Sequence, residues 1–235
     1  AQMNGGRAVL TELTEDFQLD VDDIVSSKAK IVILASPNNP TGNSFRQKDI
    51  EDILSGFGGI VIVDEAYGEY SGNSMIPRID EFDNMIVVKT FSKVYAMAAL
   101  RVGYGVANKD IADMMNSVKI PYSLNSLSEG AAAAAVRDRG FIEKSVEMVR
   151  LERPKLSAAL SELGFEPFPS DSNFILARSP IDHAALTGAL KERGILIRDF
   201  GGKRRTENCV RFTVGTDEMN RELISKIADI LEGYK

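Results

Sequence analysis

Cysteine is almost absent from this sequence, which limits both its redox chemistry and its cross-linking. Cys209 is the only cysteine among 235 residues, so no disulfide can form within the chain. A chain without disulfides is typical of reducing compartments, which predicts a cytoplasmic location. Cys209 opens an apolar stretch with strand character at residues 209–214, where a cysteine usually packs as a small hydrophobic residue. We therefore expect a structural thiol rather than a nucleophile.

Histidine is equally scarce, because His183 is the only one in the chain. A zinc site built from several histidines is excluded, and a Ser/His/Asp triad would depend on this one residue. His183 lies at the start of a predicted helix, where polar side chains are common, so we expect a surface residue. Acid–base catalysis is therefore expected from lysine, tyrosine, aspartate or glutamate.

Excess basic charge and long apolar runs are also missing. The formal net charge is −6, which leaves no broad basic surface for a phosphate backbone, so nucleic acid is not an expected partner. No apolar run approaches the ~20 residues that a membrane helix needs, so a membrane is not expected either. Apolar residues make up 44% of the chain and charged residues 26%, which is ordinary for a globular protein.

Short apolar runs alternate with helical patterns in the first part of the chain. This alternation predicts an α/β fold, with a mostly parallel sheet covered by helices on both faces. The runs at 31–34, 60–63 and 85–88 are continuously apolar, as in strands buried on both faces. Further strands are predicted at 8–10 and 102–106. Helices are predicted at 47–57, 110–118, 128–137 and 141–163, the last with a kink or break near Pro154.

The pattern changes after Gly164, which is well placed to end a helix. From there it predicts a smaller α+β unit of strand, helix, strand, strand and helix, at residues 173–177, 182–193, 195–198, 210–214 and 217–232. We therefore predict two domains, a large one over residues 1–150 and a small C-terminal one over residues 151–235.

A distinctive turn, Ser36 to Gly42 with the sequence SPNNPTG, follows the predicted strand at 30–35. Asn-Pro and Thr-Gly pairs are turn formers, so a plain turn is the simplest interpretation. A string this specific is expected by chance only about 10⁻⁷ times at average residue frequencies. Its prolines would hold an asparagine amide at the carboxyl edge of a parallel sheet, where open α/β sheets bind ligands.

An acidic residue follows the next strand in the same way. Asp64 ends the apolar run at 60–63 and begins the string Asp-Glu-Ala-Tyr, which closes with Tyr67. Asp64 is either a helix cap or a functional carboxylate in the crevice at this edge. On its own, this motif leaves both interpretations open.

Hydroxyl and basic groups follow the strand at 85–88. Thr90, Ser92 and Lys93 lie close together, and Arg101 comes eight residues after Lys93. Hydroxyls beside a lysine and an arginine form a credible phosphate pocket. A lysine held among such groups is also a candidate for covalent catalysis through its amine.

Together these motifs resemble the fold-type I, pyridoxal-phosphate-dependent aminotransferases of class I and II. The pattern of that family is an Asn-Pro-Thr-Gly turn, then Asp-x-x-Tyr, then Ser/Thr-x-x-Lys, then an arginine eight residues after the lysine. In this chain Asn39 precedes Asp64 by 25 residues, and Asp64 precedes Lys93 by 29. The resemblance extends over essentially the whole chain.

The resemblance implies that the cofactor is pyridoxal 5′-phosphate and that Lys93 carries it. Lys93 would also move the proton during transamination, and such proton transfer is worth ~10²–10⁴ in rate. Asp64 would keep the pyridinium nitrogen protonated, so that the ring acts as an electron sink. Tyr67 and Asn39 would hydrogen-bond the phenolic oxygen of the cofactor.

The remaining cofactor contacts implied by the resemblance are to the phosphate, which Thr90, Ser92 and Arg101 would bind. Lys89 is a competitor of Lys93 for the cofactor-bearing role. Its register against Arg101 does not match the family pattern, because the lysine should precede that arginine by eight residues.

Two arginines in the C-terminal part resemble those of the histidinol-phosphate aminotransferases in particular. Arg211 lies in the string CVRFTVGT and Arg198 in the string GILIRD. The resemblance implies that both bind the substrate phosphate, or a carboxylate of glutamate, with Asn39 as a third substrate contact. Two planar guanidinium groups suit a phosphate dianion, whereas one would serve a simple carboxylate.

The implied reaction transfers an amino group from histidinol phosphate to 2-oxoglutarate in histidine biosynthesis, and the implied assembly is a homodimer. Threonine-phosphate decarboxylase and the aromatic and aspartate aminotransferases share most of these residues, so they stay open as alternatives. The chain is expected to lack roughly the first 100 residues of such an enzyme, which is the size of a small domain. A truncated, catalytically impaired binding or scaffold protein is therefore a further alternative.

Overall fold

The computed structural model describes residue 3 and residues 5–234, which divide into two compact units. The first unit comprises Ala1–Ser36, Phe45–Ala66 and Asn73–Ala132, and the second comprises Pro37–Ser44, Tyr67–Gly72 and Ala133–Lys235. These units do not follow the predicted boundary at residue 150, because one helix runs unbroken across that position. The division into domains over 1–150 and 151–235 stays a prediction.

The first unit contains a four-stranded sheet in the order β1-β2-β3-β4. Its strands are β1 (Ile31–Ala35), β2 (Ile60–Asp64), β3 (Met85–Thr90) and β4 (Gly103–Ala107). The first three are parallel and β4 runs antiparallel to β3, so the sheet is mostly parallel, as predicted. Consequently the carboxyl ends of β1, β2 and β3 meet at one edge.

The helices of the first unit are α1 (Val21–Ser26), α2 (Gln47–Gly56) and α4 (Lys109–Val118), with 3-10 turns at Ile76–Glu81 and Ala98–Leu100. Side chains alternate along each strand, so one sheet face forms a core with α2. The buried residues of this core include Val61, Val63, Met85, Val87, Ile50, Ile53 and Leu54. The opposite face of β1 carries Ile31 and Ile33, which are 55% and 70% exposed.

The second unit contains an antiparallel sheet in the order β5-β6-β8-β7. Its strands are β5 (Glu166–Pro167), β6 (Phe174–Arg178), β7 (Arg198–Asp199) and β8 (Cys209–Thr213). Its helices are α3 (Gly68–Ser71), α6 (Arg139–Glu162), α7 (His183–Glu192) and α8 (Asp217–Glu232). Helix α5 (Ser126–Arg137) has residues in both units. This arrangement confirms the predicted α+β pattern after Gly164.

Three predicted elements differ from the structure. Residues 8–10 form no strand, and Leu10 is almost fully exposed, because no neighbouring strand in the described residues pairs with this run. Of the strand predicted at 195–198, only Arg198 is in a strand, because β7 consists of Arg198 and Asp199, the two residues that pair with β8. Helix α6 is neither broken nor ended at Pro154. Buried Val149 and Leu156 hold the two sides of the proline in one helix.

None of the helices in the described part of the chain combines the length and apolar character needed to cross a bilayer.

Candidate active site

The edge where β1, β2 and β3 end carries the first group of predicted site residues. Asp64 is the last residue of β2, and its Oδ1 accepts a hydrogen bond of 2.9 Å from the main-chain N–H of Ala66. Its carbonyl accepts a bond of 3.0 Å from Ser36, the residue after β1. Asp64 is therefore held at the sheet edge by bonds on both sides. The half-buried carboxylate closes a short turn and does not cap a helix, because α3 begins only at Gly68 and Tyr67 is its cap residue. A functional role for Asp64 stays a prediction.

The residues after β3 form a tight turn around Lys93. The hydroxyl of Thr90 accepts a hydrogen bond of 3.0 Å from the N–H of Ser92. The carbonyl of Lys93 accepts a bond of 2.9 Å from Ala96, and the Lys93 side chain is half-buried. Thr90 thus ends β3, and Ser92 and Lys93 follow it, at the edge where Asp64 ends β2.

Arg101 follows a 3-10 turn and has a left-handed backbone, with a φ of 55°. Its guanidinium donates a hydrogen bond of 2.9 Å to the carbonyl of Ala98. A left-handed conformation is uncommon for a residue other than glycine and is often maintained at binding sites. The sequence gives no signal for this conformation.

Lys89, the competitor of Lys93, lies in a different environment. Its Nζ is 3.1 Å from Oε2 of Glu65, and both side chains are less than a tenth exposed. Glu65 also accepts hydrogen bonds from the Ser74 hydroxyl at 2.7 Å and the Met75 N–H at 2.6 Å. Lys89 is therefore part of a buried ion pair with a structural carboxylate. Sequence reasoning missed the role of Glu65, because a pairing this distant along the chain leaves no local pattern.

The SPNNPTG turn belongs, from Pro37 onwards, to the second unit, where several bonds hold it. Asn38 donates a side-chain hydrogen bond of 2.7 Å to the hydroxyl of Thr41. The carbonyl of Gly42 accepts a bond of 2.8 Å from the N–H of Asp171, whose carboxylate accepts from Ser44 at 3.0 Å. Gly42 has a φ of 86°, and a Cβ there would overlap the side chain of Ser170. Only glycine suits this position.

Asn39 in this turn meets Arg211 of β8. A guanidinium nitrogen of Arg211 donates a hydrogen bond of 2.5 Å to Oδ1 of Asn39. The guanidinium also lies 4.6 Å from the ring centre of Phe174, and Tyr67 contacts the same ring edge-on at 5.1 Å. Asn39, Tyr67 and Arg211 thus form one cluster around Phe174. The contacts of Phe174 with Arg211 and Tyr67 were not predicted, because a phenylalanine in a buried strand resembles an ordinary core residue.

Arg198 is paired directly across the sheet with Arg211. The ring of Phe200 lies 5.6 Å from the Arg211 guanidinium. Burial lowers the pKa of the Arg211 guanidinium, and the neighbouring positive charge of Arg198 lowers this pKa further. Tyr67 has the opposite effect and raises the pKa. Like charges opposite each other in a sheet repel, so this pair is stabilised when an anion binds between them.

The single histidine and cysteine have structural environments. His183 is half-buried rather than fully on the surface, because its ring faces Asp199 and Gly201 of the same unit. Cys209 is fully buried in β8, and burial raises the pKa of its thiol. A raised pKa disfavours the nucleophilic thiolate, in agreement with the predicted structural role.

A family model described as aminotransferase class I and II matches residues 1–227. The chain belongs to this family. Among curated relatives, the histidinol-phosphate aminotransferase of Thermoanaerobacter pseudethanolicus is 39% identical to this aminotransferase over 236 residues. That alignment covers 98% of the chain and 67% of the relative.

Solved structures agree with the family assignment. The histidinol-phosphate aminotransferase of Clostridium acetobutylicum has a TM-score of 0.90 at 27% identity, covering 99% of this chain and 73% of that one. The enzyme of that name from Sinorhizobium meliloti, solved in complex with pyridoxal-5′-phosphate, has a TM-score of 0.87 at 23% identity. This likeness covers 98% of the chain and 66% of that structure.

The aminotransferase therefore has the fold of the fold-type I, pyridoxal-phosphate-dependent enzymes, which confirms the predicted fold and enzyme class. The roles of the individual site residues stay predictions. In the first unit, Asp64, Thr90, Ser92 and Lys93 lie at the ends of neighbouring strands. In the second, Asn39, Tyr67 and Arg211 form the cluster around Phe174, and Arg198 is paired with Arg211 across the sheet.

Proposed function

We propose that this aminotransferase transfers the amino group of histidinol phosphate to 2-oxoglutarate. The observation that supports this substrate is the pairing of Arg198 with Arg211 across β7 and β8. Two adjacent guanidinium groups match the two charges of a phosphate monoester, and they can also accept a carboxylate of glutamate. The names of the similar enzymes support the same assignment.

Pyridoxal 5′-phosphate is the cofactor of the proposed reaction, and the chemistry of the first unit fits it. Lys93 offers an amine for the aldehyde, and Asp64 offers a carboxylate for the ring nitrogen. Thr90, Ser92 and Arg101 offer two hydroxyls and a guanidinium for the phosphate. Lys93 is a better candidate than Lys89, because the Lys89 amine is already buried against Glu65.

Each residue has a separate task in the proposed reaction. When bound, pyridoxal phosphate supplies an electron sink that stabilises negative charge at the substrate Cα. The Lys93 amine would accept the proton from the substrate Cα as a general base and then donate it to C4′ of the cofactor as a general acid. The carboxylate of Asp64 keeps a proton on the pyridine nitrogen of the cofactor.

The second unit would hold the substrate. Arg198 and Arg211 bind its anionic end, and the bond from Arg211 to Asn39 fixes the amide of Asn39 beside the anion site. Tyr67 packs against Phe174, the ring that also supports Arg211. Tyr67 and Asn39 are the proposed donors to the phenolic oxygen of the cofactor. A homodimer and a cytoplasmic location complete the proposal.

Covalent trapping tests the role of Lys93. The full chain is incubated with pyridoxal phosphate, reduced with borohydride and digested, and the peptide masses are measured. We expect the added mass of the reduced cofactor on the peptide that contains Lys93 and on no other peptide. Lys93→Ala should lose the label and all turnover, whereas Lys119→Ala, at an exposed lysine, should keep both. Turnover by Lys93→Ala, or no trapping in the unaltered chain, would refute the assignment and favour a binding or scaffold role.

Single-turnover assays test the substrate. The cofactor-loaded chain is mixed separately with histidinol phosphate, threonine phosphate, an aromatic amino acid and aspartate. We expect the fastest conversion of bound cofactor to its amine form with histidinol phosphate. Release of carbon dioxide from threonine phosphate, or faster conversion with an aromatic amino acid or aspartate, would instead identify one of the alternative activities.

A further inference from the structure

His183 has no role in the proposed reaction, yet several bonds hold it in place. It is the first residue of α7, and its N–H donates a hydrogen bond of 2.8 Å to Oδ1 of Asn208. The amide of Asn208 donates in turn to the carbonyls of Ser179 at 2.8 Å and Ile181 at 3.1 Å. The start of α7 is therefore tied to the end of the loop between β7 and β8.

The imidazole of His183 contacts the other end of the same loop. Its Nδ1 lies 2.8 Å from Oδ1 of Asp199, without the alignment of a hydrogen bond. The same carboxylate oxygen accepts a bond of 2.8 Å from the N–H of Gly201. The ring lies against Gly201 so closely that a Cβ at this position would overlap it.

This contact lies on the side of β7 opposite Arg198. Successive side chains of a strand point to opposite faces, so Asp199 points away from the face that carries Arg198 and Phe200. Arg198 pairs with Arg211, and the Phe200 ring lies by the Arg211 guanidinium. A contact that holds Asp199 towards α7 therefore holds Arg198 and Phe200 towards Arg211.

Strand β7 needs such support, because it is only two residues long and pairs only with β8 among the described residues. Arg198 and Arg211 also repel each other when no anion is bound. Without a contact on the opposite face, both the small number of ladder bonds and the charge repulsion would favour movement of Arg198 away from Arg211.

We infer that His183 is a positioning residue for the substrate anion, acting through Asp199 and Gly201 to hold Arg198 opposite Arg211. This inference rests on the proposed function, since it takes the two arginines as the phosphate-binding pair. His183 itself does not touch the substrate. Its effect is on substrate affinity, because the arginines bind the end of the substrate that does not react.

Two neighbouring glycines provide a matched test in the cofactor-loaded full chain. A methyl group at Gly201 would displace the imidazole, whereas one at Gly202 meets nothing within 4 Å. We expect Gly201→Ala and His183→Ala each to raise KM for histidinol phosphate about 3- to 10-fold, with kcat changed by less than about 2-fold. Gly202→Ala should change neither KM nor kcat.

The double variant His183→Ala/Gly201→Ala provides a further control, because the added methyl group occupies the space of the missing ring. Its KM should therefore not exceed that of His183→Ala.

A second readout does not depend on turnover. Because His183 is the only histidine, its imidazole signals are identified directly by nuclear magnetic resonance. Inorganic phosphate should shift these signals in the unaltered chain and not in Arg198→Ala. Unchanged KM in His183→Ala and Gly201→Ala, or fixed imidazole signals at phosphate concentrations that inhibit turnover, would overturn the inference. Absence of histidinol-phosphate turnover in the unaltered chain would instead refute the proposed function.

Discussion

Arg198 and Arg211 are the residues whose charge and position best match the anionic end of the proposed substrate. They lie opposite each other in β7 and β8, and Arg211 is also held by Asn39 and Phe174. Arg211 is thus fixed by three elements, whereas Arg198 depends on the short strand β7. This difference makes Arg198 the more informative residue to change.

Arg198→Ala should reduce binding of the phosphorylated substrate more than binding of glutamate. A charge-assisted hydrogen bond is worth about 1.5–3 kcal/mol, which corresponds to a loss of roughly 10- to 100-fold in kcat/KM for histidinol phosphate. Arg193→Ala, at the exposed end of α7, is the control and should leave kcat/KM unchanged. Equal losses for histidinol phosphate and glutamate would argue against a phosphate role for Arg198.

Because Tyr70 is buried, it makes the free energy of unfolding depend on pH in alkaline solution. Burial raises the pKa of Tyr70 to about 12, and the nearby charge of Glu69 adds to the shift. The unfolded chain loses this proton near pH 10, before the folded chain does, so the phenol stabilises the fold below pH 10 and loses this contribution as the pH rises towards 12. The shift therefore destabilises the protein only in alkaline solution.

The free energy of unfolding of the unaltered chain, compared with that of Tyr70→Phe, should fall by about 1.3 kcal/mol between pH 9 and pH 11. Denaturant titrations at both pH values measure it. Tyr122→Phe changes a fully exposed tyrosine and should show no such trend. A difference between the unaltered chain and Tyr70→Phe that is the same at both pH values would contradict the burial argument.

At the scale of the element, local sequence patterns predicted most helices and strands, but not which apolar runs pair with another strand. The strands β1, β2 and β3 follow from continuous apolar runs, and α8 begins where Thr216 accepts a hydrogen bond from the N–H of Met219. The run at 8–10 has the same apolar character and forms no strand. Strand pairing is decided by a partner elsewhere in the chain, which a local pattern does not contain.

Helix α4 provides a test of local capping. Oδ1 of Asn108 accepts a hydrogen bond of 3.0 Å from the N–H of Ile111, and its Nδ2 donates one of 2.9 Å to the carbonyl of Asp83. Asn108→Ala should therefore lower the free energy of unfolding by about 1–2 kcal/mol, as measured by denaturant titration. Asn116→Ala, at an exposed site near the end of the same helix, should cost less than about 0.5 kcal/mol. Equal costs would mean that the cap contributes nothing.

At the scale of the whole molecule, much apolar surface is exposed in the described residues. Ile31 and Ile33 lie on the exposed face of β1, and one side of this strand has no partner among the described strands. Several apolar residues between positions 114 and 141 are also exposed. Exposed sheet edges and apolar patches promote association with other chains.

Ile33→Lys should therefore reduce concentration-dependent association of the 235-residue chain, as measured by sedimentation velocity. Its free energy of unfolding should change by less than about 0.5 kcal/mol, because the side chain is already in solvent. Leu34→Lys, at the adjacent buried position, should instead destabilise the chain by at least about 3 kcal/mol. Unchanged association in Ile33→Lys would show that this face does not mediate contacts between copies.

The sequence alone determined the order and spacing of Asn39, Asp64, Lys93 and Arg101, because they belong to local motifs, the first three of which end or follow predicted strands. It also predicted the mostly parallel sheet through continuously apolar runs, although the expected burial on both faces is wrong for β1, whose Ile31 and Ile33 are exposed. Only the tertiary structure decided that Lys89 is buried against Glu65, that Arg211 bonds Asn39, and that His183 lies against Asp199 of β7. These contacts join residues that are distant in the sequence or lie on different elements, and they depend on how the elements pack rather than on any local pattern.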